Sequence, residues 1–155
     1  LEPRAATPQR RLDAIRALSA AGIPTGVSIA PVIPVINDAE IEDILAAAAD
    51  AGATTAMGLL LRLPLEVAPL VRDWLAVHAP LKADHVMNLL RGMRGGKDYD
   101  AQWHKRMTGS GPYADLIMRR FDLATERLGL TTRDWTLDRA QFALPPRKGD
   151  QLSFL

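Results

Sequence analysis

Apolar residues recur in two rhythms along the first half of this chain, and the rhythms alternate. Leu12, Ile15 and Leu18 repeat at helical spacing behind Thr7, a capping side chain, and Pro8, whose fixed φ suits a first helical position. With Gly22 as a stop, this spacing predicts a helix over 8–21. From Thr25 to Val32 the pattern becomes an almost unbroken apolar run between Pro24 and Pro34, as expected of a strand buried on both faces of a parallel sheet. Asn37-Asp38-Ala39-Glu40 then reads as an asparagine version of the capping box. It opens a helix predicted over 38–51, with Ile41, Ile44, Leu45 and Ala48 on the apolar face and Glu42, Asp43 and Asp50 left to water. A second apolar strand is predicted over 56–61. Strand, helix and strand in this order make a βαβ unit with parallel strands and a right-handed crossover.

The second half reads as helix only. Helices are predicted over 65–77 and, beyond Pro80, over 81–93, ended by Gly92, Gly95 and Gly96. A short helix over 100–107, a Thr108-Gly109-Ser110-Gly111 loop and a long helix over 112–128 follow. From Thr131 the residues, including Leu144-Pro145-Pro146-Arg147-Lys148-Gly149, predict an extended or partly disordered tail. The chain therefore divides into βα units over 1–79, a helical extension over 80–130 and a tail over 131–155. Two parallel strands leave two unpaired edges and an under-covered face. Further strands are expected from upstream in a longer protein, or from another copy in a homo-oligomer that pairs strand edges.

Composition narrows the chemistry. A chain of 155 residues, 48% hydrophobic, suits one domain with a real core. Nineteen Lys and Arg against 18 Asp and Glu leave a net charge of +1, so no overall field favours nucleic acid, a membrane or acidic partners. The absence of cysteine excludes disulfides, thiolate metal sites, iron–sulfur ligation and cysteine nucleophiles within the chain, and fits a reducing cytoplasm. The apolar stretch from Ile44 to Leu61 is broken by Asp50, Gly52, Thr54 and Thr55, so no membrane-spanning helix is expected. Leu1-Glu2-Pro3-Arg4 lacks a signal-peptide pattern and looks like a cut inside a longer protein.

In parallel α/β folds ligands sit at the carboxyl ends of strands, which directs attention to the loops Ala30–Asp38 and Leu61–Glu66. Ala30, Pro31 and Val32 end the first strand; Pro31 and Pro34 either stop it or hold open backbone groups for a flat ligand. Arg62 follows the second strand, where it can meet a carboxylate or phosphate or pair with Glu66. His78, His85 and His104 lack metal-like spacing. No nucleophile elbow, P-loop or dinucleotide glycine fingerprint occurs. Gly109-Ser110-Gly111-Pro112-Tyr113 is either an anion-holding helix start or a plain turn. Between Lys82 and Arg106 six basic side chains stand against three acidic ones, with Tyr99 and Trp103 interleaved, either a nucleic-acid contact or a solvated face.

Taken in order, Leu1-Glu2-Pro3-Arg4, Arg10-Arg11-Leu12-Asp13-Ala14-Ile15, Ala21-Gly22-Ile23-Pro24, Ile29-Ala30-Pro31-Val32-Ile33-Pro34 with Asn37-Asp38, Leu61-Arg62-Leu63-Pro64 with Glu66-Val67, and Tyr113-Ala114-Asp115-Leu116 resemble radical S-adenosylmethionine proteins. The likeness is to the group related to spore photoproduct lyase, often labelled DNA repair photolyase, and it spans nearly the whole chain. It implies an α/β fold that is the C-terminal portion of a partial (β/α)6 barrel, with two parallel strands and a helical C-terminal extension. The cofactors implied for the full-length protein are S-adenosylmethionine and a [4Fe-4S] cluster, and the implied activity is reductive cleavage of S-adenosylmethionine, with nucleic acid as the substrate class by analogy with spore photoproduct lyase. The adenine is implied to pack against Ala30, Pro31 and Val32 on one strand and Leu61 and Arg62 on the next. Two departures stand out. The family's three-cysteine motif is absent, so the chain alone is expected to be inactive, with the missing N-terminal half as its partner. The superfamily's glycine-rich adenine motif is reduced to Gly26 and Ile29 at loose spacing.

The alternative reading is a non-catalytic module that binds DNA through the basic segment, or the bacterial sliding clamp through the tail. Gln151-Leu152-Ser153-Phe154-Leu155 resembles the peptide with which replication proteins hold that clamp, with its last two apolar residues exchanged.

Overall fold

The structure, a computed structural model, describes residues 4–103, 105–132, 140, 142–145 and 147. The elements are α1 (Pro8–Ala20), β1 (Gly26–Val32), a 3-10 turn (Asp38–Glu40), α2 (Ile41–Asp50), β2 (Thr55–Leu60), α3 (Val67–His78), α4 (Ala83–Gly92), α5 (Lys105–Thr108) and α6 (Pro112–Leu128). The chain is α/β, with β1 and β2 forming a two-stranded parallel sheet. Thr7 caps α1 as its sequence predicts, accepting from the Arg10 amide at 3.4 Å, with Pro8 in the first turn.

Register pairs Ser28 with Met57, Ile29 with Gly58 and Val32 with Leu60. The ladder is irregular between Ile29 and Val32, where the Ala30–Pro31 peptide is cis. Thr131 lies along the outer side of β2: the Ala56 amide donates to its carbonyl, and its own amide donates to the Thr54 carbonyl, both at 3.0 Å. Among the described residues no strand pairs with the outer side of β1.

One face of the sheet carries the core. Ile29, Ala56 and Leu60 are buried against Ile41, Leu45 and Ala48 of α2 and Ile117, Phe121 and Ala124 of α6. Gly58 admits α6, because a β-carbon there would stand 3.0 Å from the Phe121 ring. Polar clasps fix the two helices: Arg120 donates to both carboxylate oxygens of Glu42, at 2.8 and 2.6 Å, and the Tyr113 hydroxyl donates to Asp38 at 2.6 Å. The Arg120 guanidinium holds the Glu42 carboxyl below its ordinary range.

The opposite face is largely uncovered among the described residues, with Leu59 half-buried within it. Ser28 and Ala30 are exposed, and Met57 is 52% exposed. The expectation that the first strand is buried on both faces is corrected here: only Ile29 and Val32 within it are buried. An apolar run permits a second covering layer without supplying one, and none is present among the described residues.

Two further expectations change. Asn37 does not cap a helix; its side chain turns back onto the preceding loop. Of the helix predicted over 100–107, residues 105–107 are helical, within α5, while 100–103 are not, because the Asp100 carboxylate takes the Gln102 amide at 2.9 Å and offers a turn instead. Helices α3 and α4 pack on each other, burying Leu75, Val86 and Leu90, and reach both strand ends. Lys82 donates to the Val35 carbonyl after β1, and Arg94 donates to the Leu61 carbonyl after β2. No helix among the described residues is long and apolar enough to cross a membrane.

Candidate site at the strand ends

The five residues singled out at the strand ends divide into a surface pair and a buried pair, with Arg62 between. Ala30 and Pro31 are exposed, while Val32 and Leu61 are 2% and 8% exposed and are joined by the Leu61 amide donating to the Val32 carbonyl at 2.9 Å. Asn37 folds the intervening loop: its Nδ2 donates to the Pro31 carbonyl at 3.0 Å, and its Oδ1 accepts from the Ile33 amide at 2.6 Å. One carbonyl of the first loop is thus spoken for, and the accessible surface is that of Ala30 and the Pro31 ring.

Among the described residues, the only non-glycine positions with positive φ are Val35, at 66°, and Leu65, at 43°. Each follows one strand. A β-branched residue such as Val35 disfavours this region on steric grounds, and such strain persists where surrounding contacts over-determine it, as the Lys82 bond to the Val35 carbonyl does.

Arg62 is half-buried and donates through Nη1 to the Met107 sulfur at 2.9 Å; it does not pair with Glu66, which is exposed. Its neighbour is a residue that the sequence alone did not mark. Arg94 is 3% exposed and places Nη2 3.2 Å from the carbonyl of Leu61, the residue before Arg62. Burial lowers the Arg94 pKa; Asp100 opposes that shift and Arg62 adds to it. Arg94 carried no local signal, because an arginine in a basic run reads as solvated.

The basic stretch from Lys82 to Arg106 is largely engaged within the chain. Arg91 and Arg72 both pair with Asp98, Arg94 is buried, Lys82 bonds Val35, and the Arg106 guanidinium lies 4.2 Å from the centre of the Trp103 ring. Lys97 is exposed. His78 stacks near Trp74 with ring centres 5.0 Å apart, at a cavity of about 440 Å³ lined also by Ile36, Pro80 and Lys82. The Gly109–Tyr113 turn is anchored by the Ser110 amide on the Met93 carbonyl at 3.0 Å, beside a cleft of about 220 Å³ against α4. His104 and the Gln151–Leu155 peptide lie outside the described residues.

Cofactor fit differs between the two groups that the resemblance implies. With no cysteine in the chain, and no group of three or more His, Asp or Glu placed to hold a metal among the described residues, an iron–sulfur cluster does not fit here. For S-adenosylmethionine the strand ends offer only a small exposed apolar surface, that of Ala30 and Pro31. No family model, curated protein or solved structure matches the chain.

Proposed function

We propose that the chain supplies two βα units and a helical extension to a radical S-adenosylmethionine enzyme built on a partial (β/α)6 barrel. The observation that carries this reading is the one-sided covering of the sheet. Helices α2 and α6 close the face of Ile29 and Gly58, while the face of Ser28 and Met57 and the outer side of β1 are left largely uncovered among the described residues. Parallel strands in a barrel wall carry their helices on the outer face alone, so this one-sided covering supports the reading.

In this reading Ala30 and Pro31 meet the adenine of S-adenosylmethionine, Val32 and Leu61 form the apolar support behind them, and Arg62 flanks the site. The cluster and its reductant supply the cleavage of S-adenosylmethionine, and the cluster is held by cysteines outside this chain. The residues here bind, orient and exclude water. A non-catalytic DNA- or clamp-binding module is the competing reading; the engagement of Arg72, Arg91 and Arg94 within the fold gives it less support.

Equilibrium dialysis of S-adenosylmethionine against the gene's full product tests the assignment. Ala30→Trp fills the exposed surface beside Pro31, and an affinity loss of about tenfold or more is expected, the equivalent of ~1.4 kcal/mol. Unchanged affinity in Ala30→Trp, or no binding by the unaltered protein, overturns it.

A further inference from the structure

We infer that the cavity where α3 turns into α4 binds a small aromatic carboxylate. It measures about 440 Å³, within the range of about 300–1,000 Å³ that ligand sites span. Its walls combine two chemistries. Ile36, Leu81 and the Trp74 indole make an apolar and aromatic lining, and the His78 ring lies against that indole with centres 5.0 Å apart and planes tilted by 36°. Lys82 supplies a cation, and among the described residues no carboxylate lines the cavity.

The Lys82 ammonium has three donors and commits one of them to the Val35 carbonyl, at 3.3 Å. That bond ties the cavity to the loop after β1, and parallel α/β folds hold ligands at such strand ends. Lys82 makes no ion pair among the described residues; Asp84, in the first turn of α4, is exposed and does not pair with it. The end of α3 and the start of α4 meet at this turn, so their dipoles offset each other and Lys82 sets the sign of the local charge. Its remaining donors match a carboxylate, which gains a charge-assisted bond there. The aromatic part of the ligand follows from Trp74 and His78, against which a flat ring stacks and an aliphatic chain does not. Leu81, 99% exposed at the rim, is the apolar surface that a bound ring covers. Val35, at a φ of 66°, is held by the same Lys82 bond, and strained backbone of this kind gathers at ligand sites.

The site rests on this chain's own cavity and does not depend on which cofactor occupies the neighbouring strand end. The test is calorimetric titration of the gene's full product with indole-3-propionate, with its neutral amide and with hexanoate, each at constant ionic strength. Saturable binding of indole-3-propionate is expected, about tenfold or more tighter than that of the amide, which lacks the charge. Hexanoate, which cannot stack, is expected to bind several-fold more weakly. Lys82→Gln is expected to lower the affinity for indole-3-propionate about tenfold or more, and Lys82→Arg to keep part of it. Leu81→Glu, at a position exposed in the folded chain, is expected to weaken binding by placing a like charge at the rim while leaving the thermal midpoint unchanged. No saturable heat with indole-3-propionate, an amide or hexanoate that binds as tightly, or undiminished affinity in Lys82→Gln overturns the inference.

Discussion

Arg94 and Tyr113 show how a side chain acquires a role from its distant neighbours. Arg94 becomes a buried cation because α4 ends above the Leu61 carbonyl, and Tyr113 becomes a clasp because Asp38, 75 residues earlier, lies beneath its hydroxyl. Burial and then the Asp38 carboxylate push the Tyr113 phenol from its ordinary value of 10 up to about 12. The folded state therefore holds this proton where the unfolded chain releases it. The resulting stabilisation is complete below about pH 10 and is lost as pH rises toward about 12. Denaturation followed across this window is expected to show a steeper loss of stability in the unaltered chain than in Tyr113→Phe. At neutral pH the same variant leaves the buried Asp38 carboxylate without its donor, an expected cost of about 1–3 kcal/mol. Parallel pH profiles for the two proteins would contradict the clasp.

At the scale of elements, most of the fold was legible because helix and strand periods are local. The predicted spans 8–21, 112–128 and both strands agree with α1, α6, β1 and β2 to within a residue or so at either end. What was not legible depended on side chains choosing between partners. Asn37 had a capping position and took the loop, and Asp100 diverted a predicted helix into a turn. Of the candidate site, the placement of Ala30, Pro31 and Arg62 at strand ends could be read, but Arg94 could not, because burial of an arginine is decided by what packs over it. Gly58 tests the packing of α6 on the sheet. Gly58→Ala drives a methyl against the buried Phe121 ring, and overpacking of this kind costs about 1–3 kcal/mol. A denaturant midpoint that drops is expected; an unchanged midpoint would mean that α6 yields freely at this contact.

The described residues form a βαβ core with a closed side and a largely uncovered side. Helices α2 and α6 bury the face of Ile29 and Leu60, and α3 with α4 reaches across the strand ends. The other face presents Ser28, Ala30 and Met57, and β1 offers an outer edge. Parallel strands are stable where both faces are covered, so this arrangement is one part of a larger sheet in the reading offered here. The strained loops at Val35 and Leu65, the Ala30–Pro31 surface and the Arg62–Arg94 pair all gather at one end of that sheet, where parallel α/β enzymes place their chemistry. The most direct test is made on the gene's full product, reconstituted without oxygen from iron and sulfide and given a reductant and S-adenosylmethionine. The account predicts 5′-deoxyadenosine by chromatography, lost when cysteines outside this chain are replaced. A product with no cluster and no cleavage of S-adenosylmethionine would contradict it.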